Sequence, residues 1–381
     1  MLADLFTDEH RMFRDAFRRF VAAEITPNVP AWEQAREVPR DLWLKMGRAG
    51  YLCPWLPEEY GGLGLGFEYS MIINEELIRG EGFGVGVPLH SDVAVPYIHD
   101  YARPEVKARW LPGCASGEVV TALGLTEPEA GSDLAAIRTR AEQHGDHWVL
   151  NGQKTFITNG YCADLIVTAV RTGPSSGRKG LSLILVDKDA PGFSRGRKLE
   201  KMGYHMQDTA EHFFEDCRVP AENLLGEEGG GFKMMMAKLQ QERLEVCIKC
   251  QVMAEECFKE GLEYAKVRRA FGRPIGDFQY NAFKLAEMAT DVELGRTFLE
   301  TLVLEHVRGR DIGQRVSMAK YWLGEMVNRV AYQAVQLHGG YGYMDEYRIS
   351  RLYRDVRCLS IFAGTSEIMR LIVSRGLGLK P

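Results

Sequence analysis

The sequence predicts an α+β protein in three parts: helices, then a β block, then longer helices. Three observations carry this. From about residue 7 to 118 apolar side chains recur at helical spacing. After residue 119 the chain breaks into short β-branched and aromatic runs separated by turn clusters. After Gly229-Gly230-Gly231 it returns to long helical patterns. The expected parts are an N-terminal helical domain over 1–118, a middle antiparallel β domain over 119–228 and a C-terminal helical domain over 229–381. A chain of 381 residues exceeds one ordinary core, which agrees with several domains.

The elements follow in order. Thr7 is a good N-cap, with Asp8 and Glu9 in the first turn where acids complement the helix dipole. Met12, Phe13, Phe17, Phe20 and Val21 then recur on one helical face. Further amphipathic segments lie near 40–50, 67–80, 90–101 and 104–116. Two glycine-rich runs separate them, Pro57 to Gly66 and Gly82-Phe83-Gly84-Val85-Gly86. Neither follows a strand with a βαβ continuation, so both read as loops rather than nucleotide cradles. Strands are expected at His147–Leu150, Leu165–Val170, Leu181–Val186 and Ala210–Phe214, with turns at 173–177 and 190–192. Four helices over roughly 232–266, 279–308, 312–338 and 364–375 then form a C-terminal four-helix bundle. Strands and helices do not alternate, so no parallel sheet is expected.

Composition excludes several classes. A net charge of -5 argues against a nucleic-acid surface, which carries a basic excess. No apolar run approaches membrane-spanning length, and the first nine residues carry acids where a signal peptide needs a basic start. A cytoplasmic protein without membrane or nucleic-acid partners is the simplest reading. Of eight cysteines only Cys247-Ile248-Lys249-Cys250 has a metal or redox spacing. It lies inside a helical pattern with no second pair, so ordinary helix cysteines and no metal site are expected.

Two segments stand apart. Thr126-Glu127-Pro128-Glu129-Ala130-Gly131-Ser132-Asp133 and Asn151-Gly152-Gln153-Lys154-Thr155-Phe156-Ile157-Thr158-Asn159-Gly160 each combine glycines, short hydroxyl side chains and, in the second, an aromatic. Glycine lets backbone approach a ligand, and hydroxyls donate and accept, so the pair makes a wall for a flat heterocycle with polar edges. Neither has P-loop or dinucleotide spacing. Together they resemble the flavin-binding signature of the acyl-CoA dehydrogenase family, and the resemblance extends over nearly the whole chain. It implies FAD as cofactor, with Leu123, Leu125, Thr126, Gly131 and Ser132 lining the isoalloxazine and pyrophosphate. Phe156, Ile157 and Thr158 would cover the outer face of the ring, Phe156 standing where many relatives have Trp.

The resemblance places further cofactor contacts in the C-terminal helices. Arg268 with Phe271, and Gln279 eleven residues after Arg268, match the stretch that reaches a neighbouring subunit's FAD; an Arg suits pyrophosphate because its planar fork binds it twice. Gln336-Leu337-His338-Gly339-Gly340 matches the segment near the adenine side, with no catalytic role for His338. Thr365-Ser366-Glu367 matches a turn at the start of the last helix, where free N–H groups favour phosphate. A site completed by a second chain implies a homotetramer, a dimer of dimers.

The family's chemistry implies an acyl-CoA substrate, a carboxylate base for the α-proton, hydride transfer to flavin N5 and electron-transfer flavoprotein as acceptor, as in fatty-acid β-oxidation. Many members place a Glu directly before Gly-Thr near the C-terminus. Here Ile361-Phe362-Ala363-Gly364-Thr365 has Ala363 at that point, which cannot accept a proton but retains the N–H that binds the thioester carbonyl beside Gly364. A subset resembling long-chain and isovaleryl-CoA dehydrogenases carries the base on an earlier helix, as a Glu before an Arg. Leu239-Gln240-Gln241-Glu242-Arg243-Leu244 fits that register, so Glu242 is the expected base, with Arg243 and Ser132 near the substrate. Glu245, one turn on, is the local competitor. That arrangement occurs in relatives handling long straight and short branched chains, so chain length stays open. The alternative is a flavoprotein of the same fold that is non-catalytic, as Ala363 suggests, or an oxidase.

Overall fold

The computed structural model describes residues 6–173 and 177–381. The expected acidic N-terminus and the turn at 173–177 therefore fall partly outside the described residues. Six helices come first: α1 (Asp8–Phe20), α2 (Val29–Ala35), α3 (Arg40–Arg48), α4 (Phe67–Arg79), α5 (Val95–Tyr101) and α6 (Pro104–Ser116). π-Helical turns at Val21–Ile25 and Leu89–Ala94 carry the chain into the elements that follow them. Thr7 precedes α1 in extended conformation, and its N–H donates to His10 Nδ1 at 3.2 Å. Asp8 and Glu9 occupy the first turn and Arg18 and Arg19 the last, matching the dipole at both ends.

Eight strands follow: β1 (Thr121–Gly124), β2 (Arg140–His144), β3 (His147–Thr158), β4 (Leu165–Thr172), β5 (Leu181–Asp187), β6 (Phe193–Lys198), β7 (Thr209–Pro220) and β8 (Leu224–Leu225). They form one sheet in the order β6-β7-β3-β2-β4-β5-β8, with β1 beside β4. Most pairings are antiparallel as expected. Two are not: β1 and β2 both run parallel to β4, so the sheet is mixed. The chain between β1 and β4 passes through the whole β2–β3 hairpin, long enough to bring it back in the same direction. β4 and β5 are buried almost throughout, which is why they read as continuous apolar runs rather than alternating ones.

The C-terminal part consists of α7 (Gly231–Val267), a short β9–β10 hairpin (Arg269–Ala270 with Arg273–Pro274), α8 (Gln279–Val307), α9 (Gly313–His338), α10 (Arg348–Val356) and α11 (Ser366–Gly376). α7 is about 55 Å long at 1.5 Å per residue and contacts α4, α8, α9 and α10. Its start explains the glycine triplet: a side chain on Gly231 would meet the Leu181 and Ser182 backbone, so the helix is laid directly on β5. Cys247 and Cys250 are buried, free thiols in the α7 core, as expected of helix cysteines.

α4 is buried from Glu68 to Ile78, unlike an ordinary amphipathic surface helix, and lies against α1 and α7. Its adjacent acids Glu75 and Glu76 are enclosed by arginines from distant segments. Arg14 reaches Glu75 at 2.7 Å and Glu76 at 2.8 Å, Arg18 reaches Glu76 at 2.8 Å, and Arg296 of α8 reaches Glu75 at 2.7 Å. Burial works to raise both carboxyls, but the guanidiniums prevail and hold them below the usual range. The Gly82–Gly86 run is a packing loop. Gly86 sits so close to Asn159 that any side chain would overlap it, and Asn159 Nδ2 donates to the Gly86 carbonyl at 3.0 Å. The first helices are thereby docked on the end of β3, where the site lies.

Candidate active site

A cavity of about 710 Å³ lies between the sheet edge, α7 and the segment from Arg354 to Ile372, with Asn74, Leu89 and Val93 contributing from the N-terminal helices. All eight middle-domain residues expected at the cofactor line it: Leu123, Leu125, Thr126, Gly131, Ser132, Phe156, Ile157 and Thr158. Phe156 owes its position to a break in the β3–β7 ladder. Register shifts between Lys154 and Ile157, and Phe156 takes φ 59°, a left-handed backbone uncommon for a bulky residue. The bulge turns the ring outward, where it is 68% exposed. An exposed aromatic face held by a strained backbone is a stacking surface.

The two motif segments are bolted together from behind. Glu127, buried, accepts from Lys154 Nζ at 2.7 Å and from the N–H groups of Arg138 and Thr139 at 2.7 and 2.9 Å. Lys154 also donates to the Leu125 carbonyl at 3.2 Å, and Thr155 N–H to the Thr126 carbonyl at 2.9 Å. Burial draws the Lys154 ammonium down to about 8, while the same pair holds Glu127 below the usual carboxylate range against its own burial. Glu127 and Lys154 are therefore structural members of motifs whose cavity face is apolar and hydroxylic.

Glu242 and Arg243 line the same cavity from α7. The Glu242 carboxyl is buried and accepts one hydrogen bond, from Tyr97 Oη of α5 at 2.8 Å. Burial pushes it up to about 7; the Tyr97 bond and the neighbouring Arg243 charge pull the other way. A carboxylate poised there can exchange a proton near neutral pH. Arg243 is buried beside it, its guanidinium donating to Ser317 Oγ at 3.4 Å while its Nε has no partner. Glu245 also lines the cavity; its Oε2 accepts from Asn74 Nδ2 at 2.6 Å, and burial together with the Asp92 charge pushes its carboxyl well above the usual carboxylate range.

Ala363 and Gly364 close the opposite side of the cavity. Ala363 adopts φ 51° and Gly364 φ 91°, two successive left-handed residues that make a tight turn at the cavity. Lys320 of α9 anchors it: fully buried, it donates to the Gly364 carbonyl at 2.5 Å. Thr365 caps α11, accepting from Ile368 N–H at 3.3 Å. Ser366 is buried with its Oγ unpartnered, and Glu367 is exposed in the first helical turn. None of these three is among the cavity-lining residues, although Ile368 and Ile372 are.

The remaining expected cofactor residues lie elsewhere on the chain. Arg268, Leu337, His338, Gly339 and Gly340 line a second cavity of about 490 Å³ with Tyr264 and Tyr341. The Arg268 guanidinium lies 5.5 Å from the Tyr341 ring centroid. His338 is packed: it stacks on Tyr264 at 4.1 Å and its Nδ1 bonds the Ala334 carbonyl at 2.7 Å. Gln279 and Gln336 are exposed, and Phe271 is 96% exposed at the hairpin tip. Within one chain, then, the structure brings together the middle-domain wall, Glu242, Arg243, Ala363 and Gly364, and sets the Arg268–Gly340 group apart. Sequence reasoning missed Tyr97, Lys320 and Asn74, each of which reaches the site from a separate element.

Models of the N-terminal, middle and C-terminal domains of acyl-CoA dehydrogenases match residues 7–118, 122–217 and 229–378. The chain is 42% identical over 373 residues to the mitochondrial long-chain specific acyl-CoA dehydrogenase of Sus scrofa, covering 97% of this chain and 87% of that protein. It is 37% identical to the mitochondrial isovaleryl-CoA dehydrogenase of Oryza sativa subsp. japonica, over 98% of this chain and 92% of the other. Among solved structures, an acyl-CoA dehydrogenase from Geobacillus kaustophilus superposes with a TM-score of 0.97 at 53% identity, covering 98% of this chain and 99% of that one.

Proposed function

The chain belongs to the acyl-CoA dehydrogenase family, and from that premise we propose that it converts an acyl-CoA thioester to the trans-2-enoyl-CoA with Glu242 as the base. Members of the family are FAD flavoproteins that oxidise acyl-CoA substrates. The residues present fit that cofactor. Phe156 offers an exposed aromatic face, Leu123 and Leu125 an apolar wall, and Thr126, Ser132 and Thr158 hydroxyls at its edges. FAD, when bound, supplies the hydride acceptor; the rest of the chemistry belongs to the protein. Three domains, 1–118, 119–228 and 229–381, enclose it, and the change from helix to strand between Ser116 and Thr121 and back by Gly231 supports those limits.

The observation that carries the reading is the buried Glu242 carboxyl in the cavity with a pKa near 7. Burial strengthens it as a base, and the hydrogen bond from Tyr97 holds its carboxyl in place. In this reading the Ala363 N–H, in the turn that Lys320 anchors, binds the thioester oxygen as negative charge develops on it. Arg243 supports the substrate from the same helix. Ala363 itself carries no base, which leaves proton removal to Glu242.

Arg268, Phe271, Gln279 and the Gln336–Gly340 stretch are assigned to the FAD of a second subunit, because within one chain they line a separate surface. Thr365, Ser366 and Glu367 hold the phosphate side at the start of α11. A homotetramer follows from that sharing, with the exposed Phe271, Tyr280 and Phe283 as interface anchors. Among the described residues no helix is long and apolar enough to cross a membrane. We place the protein in a reducing cytoplasm because all eight cysteines are free.

The test is anaerobic mixing of the FAD-loaded protein with a panel of acyl-CoAs. Bleaching of the flavin with appearance of enoyl-CoA is expected, followed by recovery of colour on adding electron-transfer flavoprotein. No bleaching by any thioester would favour the non-catalytic reading that Ala363 suggests, and stoichiometric peroxide in air would favour an oxidase. The pH dependence supplies a second check. Glu242 must be ionised to take a proton, so the bleaching rate should rise with pH through about 7. Tyr97→Phe removes the hydrogen bond that favours the ionised form, so this limb should move to higher pH. An unmoved limb would separate Tyr97 from the titrating group.

A further inference from the structure

Two turns along α7 from Glu242 the same cavity holds a cation, Lys249. Seven residues make about 10.5 Å of helix axis and nearly two full turns, so both side chains leave one face of α7. Val246, between them, also lines the cavity and keeps that face apolar. The Lys249 ammonium lies 5.5 Å from the Tyr204 ring centroid and has no hydrogen-bond or ion-pair partner among the described residues. It is not sealed in the wall, as the unpartnered Glu245 Oε1 and Asn74 Oδ1 are, but open to the cavity. The neighbouring acids leave it unanswered. Glu245 is pushed toward its protonated form by burial and the Asp92 charge. Asp355 accepts from the Tyr204 N–H, and burial pushes its carboxyl up to about 7. Lys201, a second cavity-lining cation near Cys358, is already bonded to the Gln207 carbonyl and to Thr209 Oγ1. Burial draws the Lys249 ammonium below the usual lysine range, a cost that an anion on the ligand would offset.

Building on the proposed reaction, we propose that Lys249 forms a subsite for a carboxylate at the far end of the acyl chain, and that the enzyme favours dicarboxylic acyl-CoAs over monocarboxylic ones of equal length. One carboxyl, as the CoA thioester, reacts beside Glu242; the other reaches Lys249, with the methylenes between them along Val246. An ammonium carries three donors and no acceptor, so a carboxylate suits it and a cationic tail is repelled by it and by Lys201. A hydrocarbon end leaves the ammonium desolvated and still without a partner. The axial spacing of about 10.5 Å puts the terminal carboxylate several carbons beyond the reacting pair.

The experiment compares adipyl-, suberyl- and sebacyl-CoA with hexanoyl-, octanoyl- and decanoyl-CoA on the FAD-loaded protein, by kcat/KM and by calorimetric binding. At one length or more the dicarboxylic thioester is expected to be preferred by about tenfold or more, the contribution of one charge-assisted hydrogen bond. The gain should lie in KM and in binding rather than in kcat, because the contact is remote from the reacting carbons. Lys249→Met should reverse the order at that length, and Lys249→Arg, which keeps a cation, should preserve most of it. Equal or better use of the monocarboxylic thioester at every length would overturn the proposal, as would a dicarboxylic preference that Lys249→Met leaves intact. The wild-type ratio needs no variant to fold. Failure of every thioester to bleach the flavin would remove the reaction instead, and the calorimetric ratio would still decide the subsite.

Discussion

Glu242→Gln is expected to slow anaerobic flavin bleaching by acyl-CoA by about 10²–10⁴-fold, the usual contribution of a positioned base, with FAD content unchanged. The amide fills the same space and still accepts from Tyr97, so cavity shape is preserved while proton acceptance is lost. Glu245→Gln is the control: it should leave bleaching within about tenfold of wild type, because burial and the Asp92 charge push the Glu245 carboxyl well above the usual range, toward the protonated form that takes no proton. Equal rates for Glu242→Gln and wild type would refute the base, and loss confined to Glu245→Gln would move it one turn along α7. Stability should shift the opposite way. In the folded chain the Glu242 carboxyl titrates near 7 against an ordinary 4.5, so folding binds its proton more tightly. Its contribution is complete below about pH 4.5 and is lost as pH rises through about 7. The Gln variant escapes that loss, so its melting temperature should exceed that of wild type at pH 8 by more than at pH 5. Activity and stability would then be opposed at a single carboxyl.

Lys154→Met is the second large expected effect. It removes the cation that faces Glu127 at 2.7 Å in a fully enclosed site and leaves a buried carboxylate with only backbone donors. Breaking a buried pair on one side typically costs about 3–5 kcal/mol. Urea unfolding should show that loss, and FAD should be released on gel filtration, because the Thr126–Asp133 and Asn151–Gly160 segments lose their common anchor. The double variant Glu127→Gln, Lys154→Met removes the stranded charge and should recover much of the stability. A single variant as stable as wild type would show that the hydroxyl and backbone contacts between the segments suffice without the pair.

The C-terminal helices were legible to within a few residues, because α7, α8 and α9 are long enough for apolar periodicity to exceed local noise. α10 escaped notice: at nine residues, with four arginines in or flanking it, its buried Ile349, Leu352 and Val356 make only two turns of pattern. The parallel placement of β1 against β4 was also invisible, since strand direction depends on where a long connection returns. The middle-domain wall was readable because its residues lie in two short segments. Tyr97 stands 145 residues before Glu242 and Asn74 stands 171 before Glu245, so only the packed helices bring them to the site. Lys320 was hidden for the same reason, a polar residue inside an amphipathic helix whose purpose is a carbonyl 44 residues on.

The enclosed acids of α4 bear on how the chain is made. Glu75 and Glu76 are synthesised early, yet Arg296, which pairs with Glu75, emerges more than two hundred residues later. Until then the first helices have two carboxylates in their midst with part of their neutralising set missing. The opening third of this chain is therefore poorly suited to settle on its own at the ribosome, and should wait for α7 and α8 to lock. A fragment ending near residue 118 would be expected to show helical content without a sharp unfolding transition.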